Sequence, residues 1–136
     1  MGLTVTDNLS PGLARAAAKC RNTRPVMEAM GSEFCSITKR AFTNPQLRPL
    51  PWANKRDGTP ATLRKSGALW QSIRITDLTQ TSVTGGSDRP YAAIHQLGGD
   101  KMPMRPYFPI LNGKLTPEAK RLIEKVGFEK IKILLK

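Results

Sequence analysis

The sequence predicts the elements of an α+β fold, because helix-like and strand-like hydrophobic patterns occupy separate stretches of the chain. The first observation is a helical stripe of apolar residues three or four positions apart, formed by Met27, Met30, Phe34, Ile37 and Ala41. The second is a pair of strand-like stretches, 73–78 and 80–87, the latter ending at a Gly-Gly pair, which predict a β-hairpin. The third is a Thr-Pro-Glu start at 116–118 followed by an apolar face, which predicts a C-terminal helix.

Two helical segments precede the hairpin. Ser10 and Pro11 are typical of a helix start, since the serine accepts a hydrogen bond from an exposed backbone N–H and the proline fits the first turn. Pro25 either interrupts this helix or starts a second one, which the stripe extends to about Phe42. We expect the methionine-containing stripe to pack in the core. The first helix has an apolar face formed by Leu13, Ala16, Ala17 and Cys20.

Residues 43–65 form a loop rich in proline and basic residues. Four prolines and an Asp-Gly turn leave no helical or strand period, and five basic residues stand against one acid. A loop of this length inside a domain is usually functional or disordered. It contains Trp52, for which the sequence leaves two alternatives: an anchor in the core, or a contact for a partner.

Short elements fill most of the remaining chain. A turn of helix opened by Ser66 leads into the hairpin, and residues 91–97 predict a brief helix closed by Gly98 or Gly99. Three prolines among the apolar residues 102–111 exclude a helix and predict an extended edge strand. Gly127 is a candidate end for the last helix, and the sequence leaves strand and helix open for 128–136.

The chain is short and strongly basic. Its 136 residues fit one domain, and 22 Lys and Arg against 10 Asp and Glu give a net charge of +12. Such a protein repels copies of itself and favours acidic partners: nucleic acid, an acidic protein face or anionic lipid. No apolar run approaches the ~18 residues that a membrane span needs, so we expect no membrane contact. Cys20 and Cys35 are interpreted as small buried hydrophobes of a reducing compartment.

No catalytic or metal-binding motif accompanies His95, the only histidine in the chain. A structural zinc site takes four nitrogen or sulfur ligands at short spacings, and the sequence offers one histidine and two cysteines. It also has no nucleophile elbow, Walker loop or dinucleotide fingerprint. We therefore expect no cofactor and no metal.

From the residues alone, two functions stay open. A small basic nucleic-acid-binding protein is the first, with nonspecific and salt-dependent affinity because no recognition motif is present. A small ribonuclease is the second, since His95 lies close in sequence to Arg89, Tyr91 and Arg105 and such enzymes can work with scattered side chains. The competing interpretation of His95 is structural: it faces Tyr91 one helical turn away and hydrogen-bonds a backbone carbonyl.

Three motifs occur in a recognisable order. The first motif is a long helix ending in Phe42, followed by a loop with Pro51-Trp52. The third motif is Tyr-Ala-x-x-His-Gln-x-Gly at 91–98, followed by an Arg-Pro-containing segment. Together, over most of residues 10–126, the motifs resemble the phage virion morphogenesis family of Mu-like tail completion and head–tail joining proteins. The middle motif is formed by Leu63, Ser66, Gly67, Leu69, Ser72 and Ile73.

The chain departs from the family pattern in three places. Ser66 stands where threonine is usual, and Tyr107-Phe108 replaces the commoner Phe-Leu. Residues 128–136 have no counterpart in the family pattern. The role of the C-terminal extension, taken as 127–136, therefore stays open.

The resemblance implies a single α+β domain over 1–136, with a small antiparallel sheet packed against the long N-terminal helix and the C-terminal helix. It implies a structural assembly protein of a tailed bacteriophage or prophage, without enzymatic activity, that acts in tail completion or head–tail joining at the neck. Its partners would be other tail, neck and connector proteins, with nonspecific contact to DNA. It would form a homo-oligomeric ring, with a hexamer as one plausible size. It would occur in the bacterial host cytoplasm during assembly and then in the tail or neck of the virion.

The resemblance also implies roles for individual residues. His95 and Gln96 would order the turn between the hairpin and the edge strand, and Gly98 and Gly99 would permit the chain reversal. The Arg-Pro pair would form a rigid arm that presents an aromatic pair either to the core or to a neighbouring subunit. This interface arm comprises Trp52, Arg105, Pro106, Tyr107 and Phe108. The loop would be mobile when free and would face an assembly partner or DNA with its basic side chains, Arg48, Lys55, Arg56, Arg64 and Lys65.

Overall fold

Two long helices and small antiparallel sheets make up the protein, so the predicted α+β class is confirmed. The computed structural model describes residues 3–5, 10–63, 67–89, 91–100 and 102–135. In chain order the elements are β1 (Leu3–Val5), α1 (Pro11–Ala17), α2 (Arg24–Ala41), a 3₁₀ turn (Pro45–Leu47), α3 (Ala68–Ser72), β2 (Arg74–Leu78), β3 (Val83–Ser87), α4 (Ala92–Leu97), β4 (Ile110–Leu111), β5 (Lys114–Leu115) and α5 (Pro117–Leu134).

The larger sheet has the order β1-β3-β2, with both outer strands antiparallel to β3. The hairpin of β2 and β3 is the predicted one, whereas no sequence pattern predicts β1, which pairs with the other edge of β3. β3 runs through its two glycines instead of ending at them. The reason is the close approach of α2, since a Cβ at Gly85 would lie 2.5 Å from the Phe34 ring.

Helix α2 supplies much of the core. Pro25 lies in its first turn, so the proline starts this helix rather than interrupting α1. All five residues of the predicted stripe are buried, which confirms core packing. α1 ends at Ala17, so Cys20 lies beyond the helix and only partly packs against the core, whereas Cys35 is buried on α2.

Helix α5 packs along α2 and extends to Leu134. Thr116 caps it, because the threonine Oγ1 accepts a hydrogen bond from the Ala119 N–H at 3.3 Å. Gly127 does not end the helix: it lies where α5 meets α2, and a Cβ there would be 2.7 Å from the Met30 Sδ. Of the two alternatives for the residues after Gly127, the structure therefore shows helix through Leu134.

The proline-containing segment 102–109 is not the edge strand that the sequence predicts. Gly99 and Met102 form an isolated bridge, and a strand begins only at Ile110, where β4 pairs with β5. Residues 105–109 are instead buried against the core. The physical reason is that Pro106 and Pro109 have no N–H to donate to a regular ladder.

The brief helix predicted at 91–97 is confirmed as α4. His95 and Gln96 therefore lie within a helix, and Gly98 makes the turn after it with a φ of +80°. A Cβ at Gly98 would also lie 3.1 Å from the backbone N of Met104, so this turn has space only for glycine. The cap of α3 is Gly67, and Ser66, its predicted opener, lies outside the described residues.

Candidate functional site

One buried side chain of the His-Gln motif (91–98) holds the segment 105–109 that follows it. Gln96 is only 3% exposed, and its Oε1 accepts hydrogen bonds from the backbone N–H groups of Tyr107 (3.0 Å) and Phe108 (2.9 Å). Its Nε2 donates to the Phe108 carbonyl at 3.3 Å. The amide thus satisfies the backbone of a segment that has no strand partner at these residues.

The aromatic pair of the motif belongs to the core. Tyr107 and Phe108 are fully buried, and the Tyr107 hydroxyl donates to the Ala92 carbonyl at 2.7 Å. The Phe108 ring stacks on Phe34 with 5.6 Å between centroids. Burial raises the pKa of Tyr107, so its hydroxyl stays a donor at neutral pH. Of the two positions expected for this pair, core or neighbouring subunit, the structure shows the core.

Arg105 and Trp52 fasten the proline-rich loop to the same segment. Arg105 is 8% exposed, and its guanidinium donates from Nε to the Ala53 carbonyl (2.9 Å) and from Nη2 to the Asn54 carbonyl (3.0 Å). The Trp52 Nε1 donates to the Pro106 carbonyl at 2.8 Å. Trp52 therefore anchors the loop within the fold, and its side chain is half-buried.

Arg48, a predicted partner-facing residue, also makes contacts within the fold. Its guanidinium carbon lies 3.5 Å from the centroid of the Trp52 ring. Its Nε and Nη2 donate to the carbonyls of Ala41 (2.6 Å) and Phe42 (3.1 Å), which lie at the C-terminal end of α2. Burial lowers the pKa of Arg48, as expected for a cation partly removed from water.

The other basic residues of the loop lie in different surroundings. Lys55 and Arg56 are exposed at a tight turn, in which the Lys55 N–H donates to the Thr59 carbonyl at 2.8 Å. Arg64 and Lys65 lie outside the described residues. The structure therefore separates the predicted basic set into one residue used by the fold and two that face solvent.

His95 sits beside Tyr91 as the structural interpretation expects, with the ring centroids 5.9 Å apart in an edge-on arrangement. Within the described part of the chain its Nδ1 is buried and has no hydrogen-bond partner, so at this nitrogen the expected hydrogen bond to a backbone carbonyl is not formed. Burial, with a smaller contribution from the Arg105 charge, lowers the pKa of His95 below its usual value. Of the four residues of the ribonuclease alternative, Arg105 directs its guanidinium at the loop carbonyls of Ala53 and Asn54.

The described residues contain no candidate metal cluster, and their two cysteines form no disulfide. No group of three or more His, Cys, Asp or Glu side chains there could hold a metal ion. Both cysteines are free, and burial raises the pKa of Cys35, which keeps it a thiol. In the same ranges, no helix has the length and hydrophobicity to cross a bilayer.

One basic surface is missed by sequence patterns. Lys39 and Arg40 at the end of α2 meet Arg74 at the start of β2 along a single groove, which we name the α2/β2 groove. More than thirty residues separate Lys39 from Arg74, so no local motif signals their proximity. The outward-facing position of Arg40 in the helical pattern is the only signal, and a solvated helix face gives the same one.

Comparison with known proteins gives one match. A sequence model of the phage virion morphogenesis family matches residues 5–128, which is most of the chain. No curated protein and no solved structure matches it. The matched range includes the Gln96 hydrogen bonds, the Trp52 anchor and the helices that pack around them. The chain therefore belongs to the phage virion morphogenesis family, and its role lies in the assembly of phage particles.

Proposed function

We propose that this chain is a structural assembly protein of a tailed bacteriophage or prophage, acting in tail completion or head–tail joining at the neck. Membership of the virion morphogenesis family over residues 5–128 is the observation that carries the proposal. The protein works through binding rather than catalysis, and its partners are tail, neck and connector proteins and further copies of itself in a ring. It is present in the host cytoplasm during assembly and then in the tail or neck of the particle.

The hydrogen bonds made by the His-Gln motif and by the segment that follows it support a role in binding. Gln96, Tyr107 and Arg105 direct their polar atoms at backbone groups of the same chain. A catalytic site needs such groups within reach of a substrate. Here they fix the shape of a small basic domain, and shape with surface charge is what an assembly component presents to its neighbours.

Deletion of the gene in a phage that carries it tests this function. We expect lysates with DNA-filled heads and separate tails seen by electron microscopy, and a large loss of infectious titre. Purified protein added to such a lysate should restore both joined particles and titre. The control is protein with Gln96→Leu, which lacks the hydrogen bonds to the backbone of Tyr107 and Phe108. If this variant is unfolded, it should be inactive in the same assay.

Mass spectrometry of gradient-purified particles gives an independent result. A structural component of the neck is expected at a fixed, low copy number relative to the major capsid protein. Normal joined particles after deletion would refute the assembly role in tail completion. Absence of the chain from intact particles, combined with a loss of joining, would instead assign it as a transient assembly factor.

A nucleic-acid-binding protein is the second candidate, favoured by the net charge of +12. The two candidates separate on selectivity. A cellular nucleic-acid binder would prefer particular sequences or structures and leave particle assembly unaffected on deletion. A neck component would show sequence-independent binding at most.

A further inference from the structure

The α2/β2 groove collects cations from two elements that are distant in sequence. It lies between the last turns of α2 and the edge strand β2, with a volume of about 460 Å³. Lys39, Arg40 and Arg74 supply three positive charges, and Ser32 and Ser36 supply hydroxyl groups. Among the described residues, no carboxylate lines the groove.

Trp70 contacts both the backbone and the side chain of Lys39 before any ligand arrives. The Trp70 Nε1 donates a hydrogen bond to the Lys39 carbonyl at 3.2 Å, and the Lys39 Nζ lies 5.2 Å from the centroid of the Trp70 ring. Arg40 is held in a similar way, since its Nε donates to the Ser36 carbonyl at 3.3 Å. Side chains that are already ordered lose less conformational entropy when they bind a partner.

The acidic neighbours of the two arginines lie outside the groove lining. Arg40 pairs with Glu33 at 3.2 Å and Arg74 with Asp88 at 3.5 Å. Both members of the Arg74 pair are more than half exposed, and exposed ion pairs of this kind contribute little free energy. A guanidinium has five N–H donors, so each arginine can keep its pair and still donate to a phosphate.

We propose that the α2/β2 groove binds the phosphate backbone of double-stranded DNA. Arginine, lysine and serine hydroxyls are the groups that proteins direct at phosphate oxygens, and such contacts carry no sequence information. A protein partner is less favoured, because the cores of protein interfaces are depleted in charge and rich in aromatic groups, and Cys35 and Ile75 are the remaining lining residues. The proposal rests on the proposed function, because double-stranded DNA passes through a head–tail junction.

The test is binding of the purified full-length protein to a short fluorescein-labelled DNA duplex, measured by anisotropy between about 50 and 200 mM salt. The groove variant combines Lys39→Gln, Arg40→Gln and Arg74→Gln. The control variant combines Lys114→Gln, Lys125→Gln and Lys132→Gln, which removes the same charge from exposed positions outside both the groove and the proline-rich loop. We expect the groove variant to reduce the slope of log affinity against log salt by roughly 2 to 3 and the affinity by at least about tenfold, since each phosphate contact contributes about 0.9 to the slope.

The control variant should keep the slope of the unmodified protein to within about one contact. An equal loss in both variants would overturn the proposal, since binding would then be spread over the whole basic surface. No binding by the unmodified protein at the lowest salt would overturn it as well. If the groove variant does not fold, Ser32→Glu adds a negative charge at an exposed position of the same groove and should weaken binding, whereas an unchanged affinity would contradict the proposal.

The in vitro joining assay separates this inference from the proposed function. If the unmodified protein restores joining but does not bind the duplex, the assembly role stands and the DNA site is overturned. If, in addition, the groove variant fails to restore joining while the control variant succeeds, the groove binds an acidic protein surface instead.

Discussion

Gln96 binds Phe108 at both of its backbone polar groups. The amide Oε1 accepts from the Phe108 N–H at 2.9 Å, and the Nε2 donates to the Phe108 carbonyl at 3.3 Å. Because Oε1 also accepts from the Tyr107 N–H, one side chain replaces the strand that this segment lacks. The contact places two buried rings at the centre of the core.

Replacing this amide should destabilise the protein. Gln96→Leu leaves the buried N–H groups of Tyr107 and Phe108 without acceptors, whereas the Phe108 carbonyl keeps its hydrogen bond from the Ile110 N–H, so we expect a loss of about 2–4 kcal/mol in the free energy of unfolding. Urea denaturation measures the loss. Gln71→Leu, at an exposed position of α3, is the matched control and should change stability by no more than about 0.5 kcal/mol. Equal effects of the two substitutions would mean that the amide contributes no more than a surface side chain.

A methyl group at Gly85 should also destabilise the fold. Its Cβ would lie 2.5 Å from the Cδ1 of Phe34, whose ring is fixed by stacking on Phe108. We expect Gly85→Ala to cost about 1–3 kcal/mol, as overpacking of a filled core does. Gly12→Ala in α1 is the control, since its nearest neighbour is 4.0 Å away and alanine is the better helix former; it should be neutral or stabilising by up to about 1 kcal/mol. A neutral Gly85→Ala would show that α2 can move away from β3.

The elements of this fold could be predicted largely from local patterns. The stripe on α2, the caps Ser10 and Thr116, and the β2–β3 hairpin depend on short-range spacing, and each is present as expected. Long-range packing decided the misplaced boundaries. Gly85 resembles the end of a strand and Gly127 the end of a helix, but both are interior positions where another helix approaches.

The candidate sites depend even more on long-range contacts. The sequence singles out Gln96, Arg105 and Trp52 but cannot supply their partners, which lie 11 to 54 residues away along the chain. The α2/β2 groove has no specific signal in local spacing beyond the outward-facing position of Arg40, because its cations come from a helix and a strand that become neighbours only on folding.

Arg105 should control the accessibility of the proline-rich loop. Without the Arg105 hydrogen bonds to the carbonyls of Ala53 and Asn54, the loop loses one of its attachments to residues 105–109 and keeps the hydrogen bond from Trp52 to the Pro106 carbonyl. We expect Arg105→Gln to speed tryptic cleavage after Lys55 and Arg56 by about tenfold or more, which corresponds to about 1.4 kcal/mol of lost local stability. Mass spectrometry of timed digests identifies the cut sites. Arg121→Gln removes one tryptic site from an exposed ion pair and should leave the loop cleavage rate unchanged. Rapid cleavage of the unmodified loop, at the rate of the variant, would instead support a loop that is mobile when free.

His95 should make the stability of the fold depend on pH in the mildly acidic range. Burial and the nearby Arg105 lower its pKa in the folded state, whereas the unfolded chain keeps the ordinary value of about 6.5. The unfolded state therefore binds the proton more readily, so the stability contributed by neutral His95 is complete above that value and decreases as the pH falls below it. We expect the unmodified protein to lose stability between about pH 7.5 and 5.5 relative to His95→Gln, measured by urea denaturation at each pH. The variant also removes the buried Nδ1, so only the change in the difference with pH, and not its size at one pH, reports the titration. A constant difference would mean that His95 titrates alike in the folded and unfolded chains, and that the Tyr91 side of α4 is open to water.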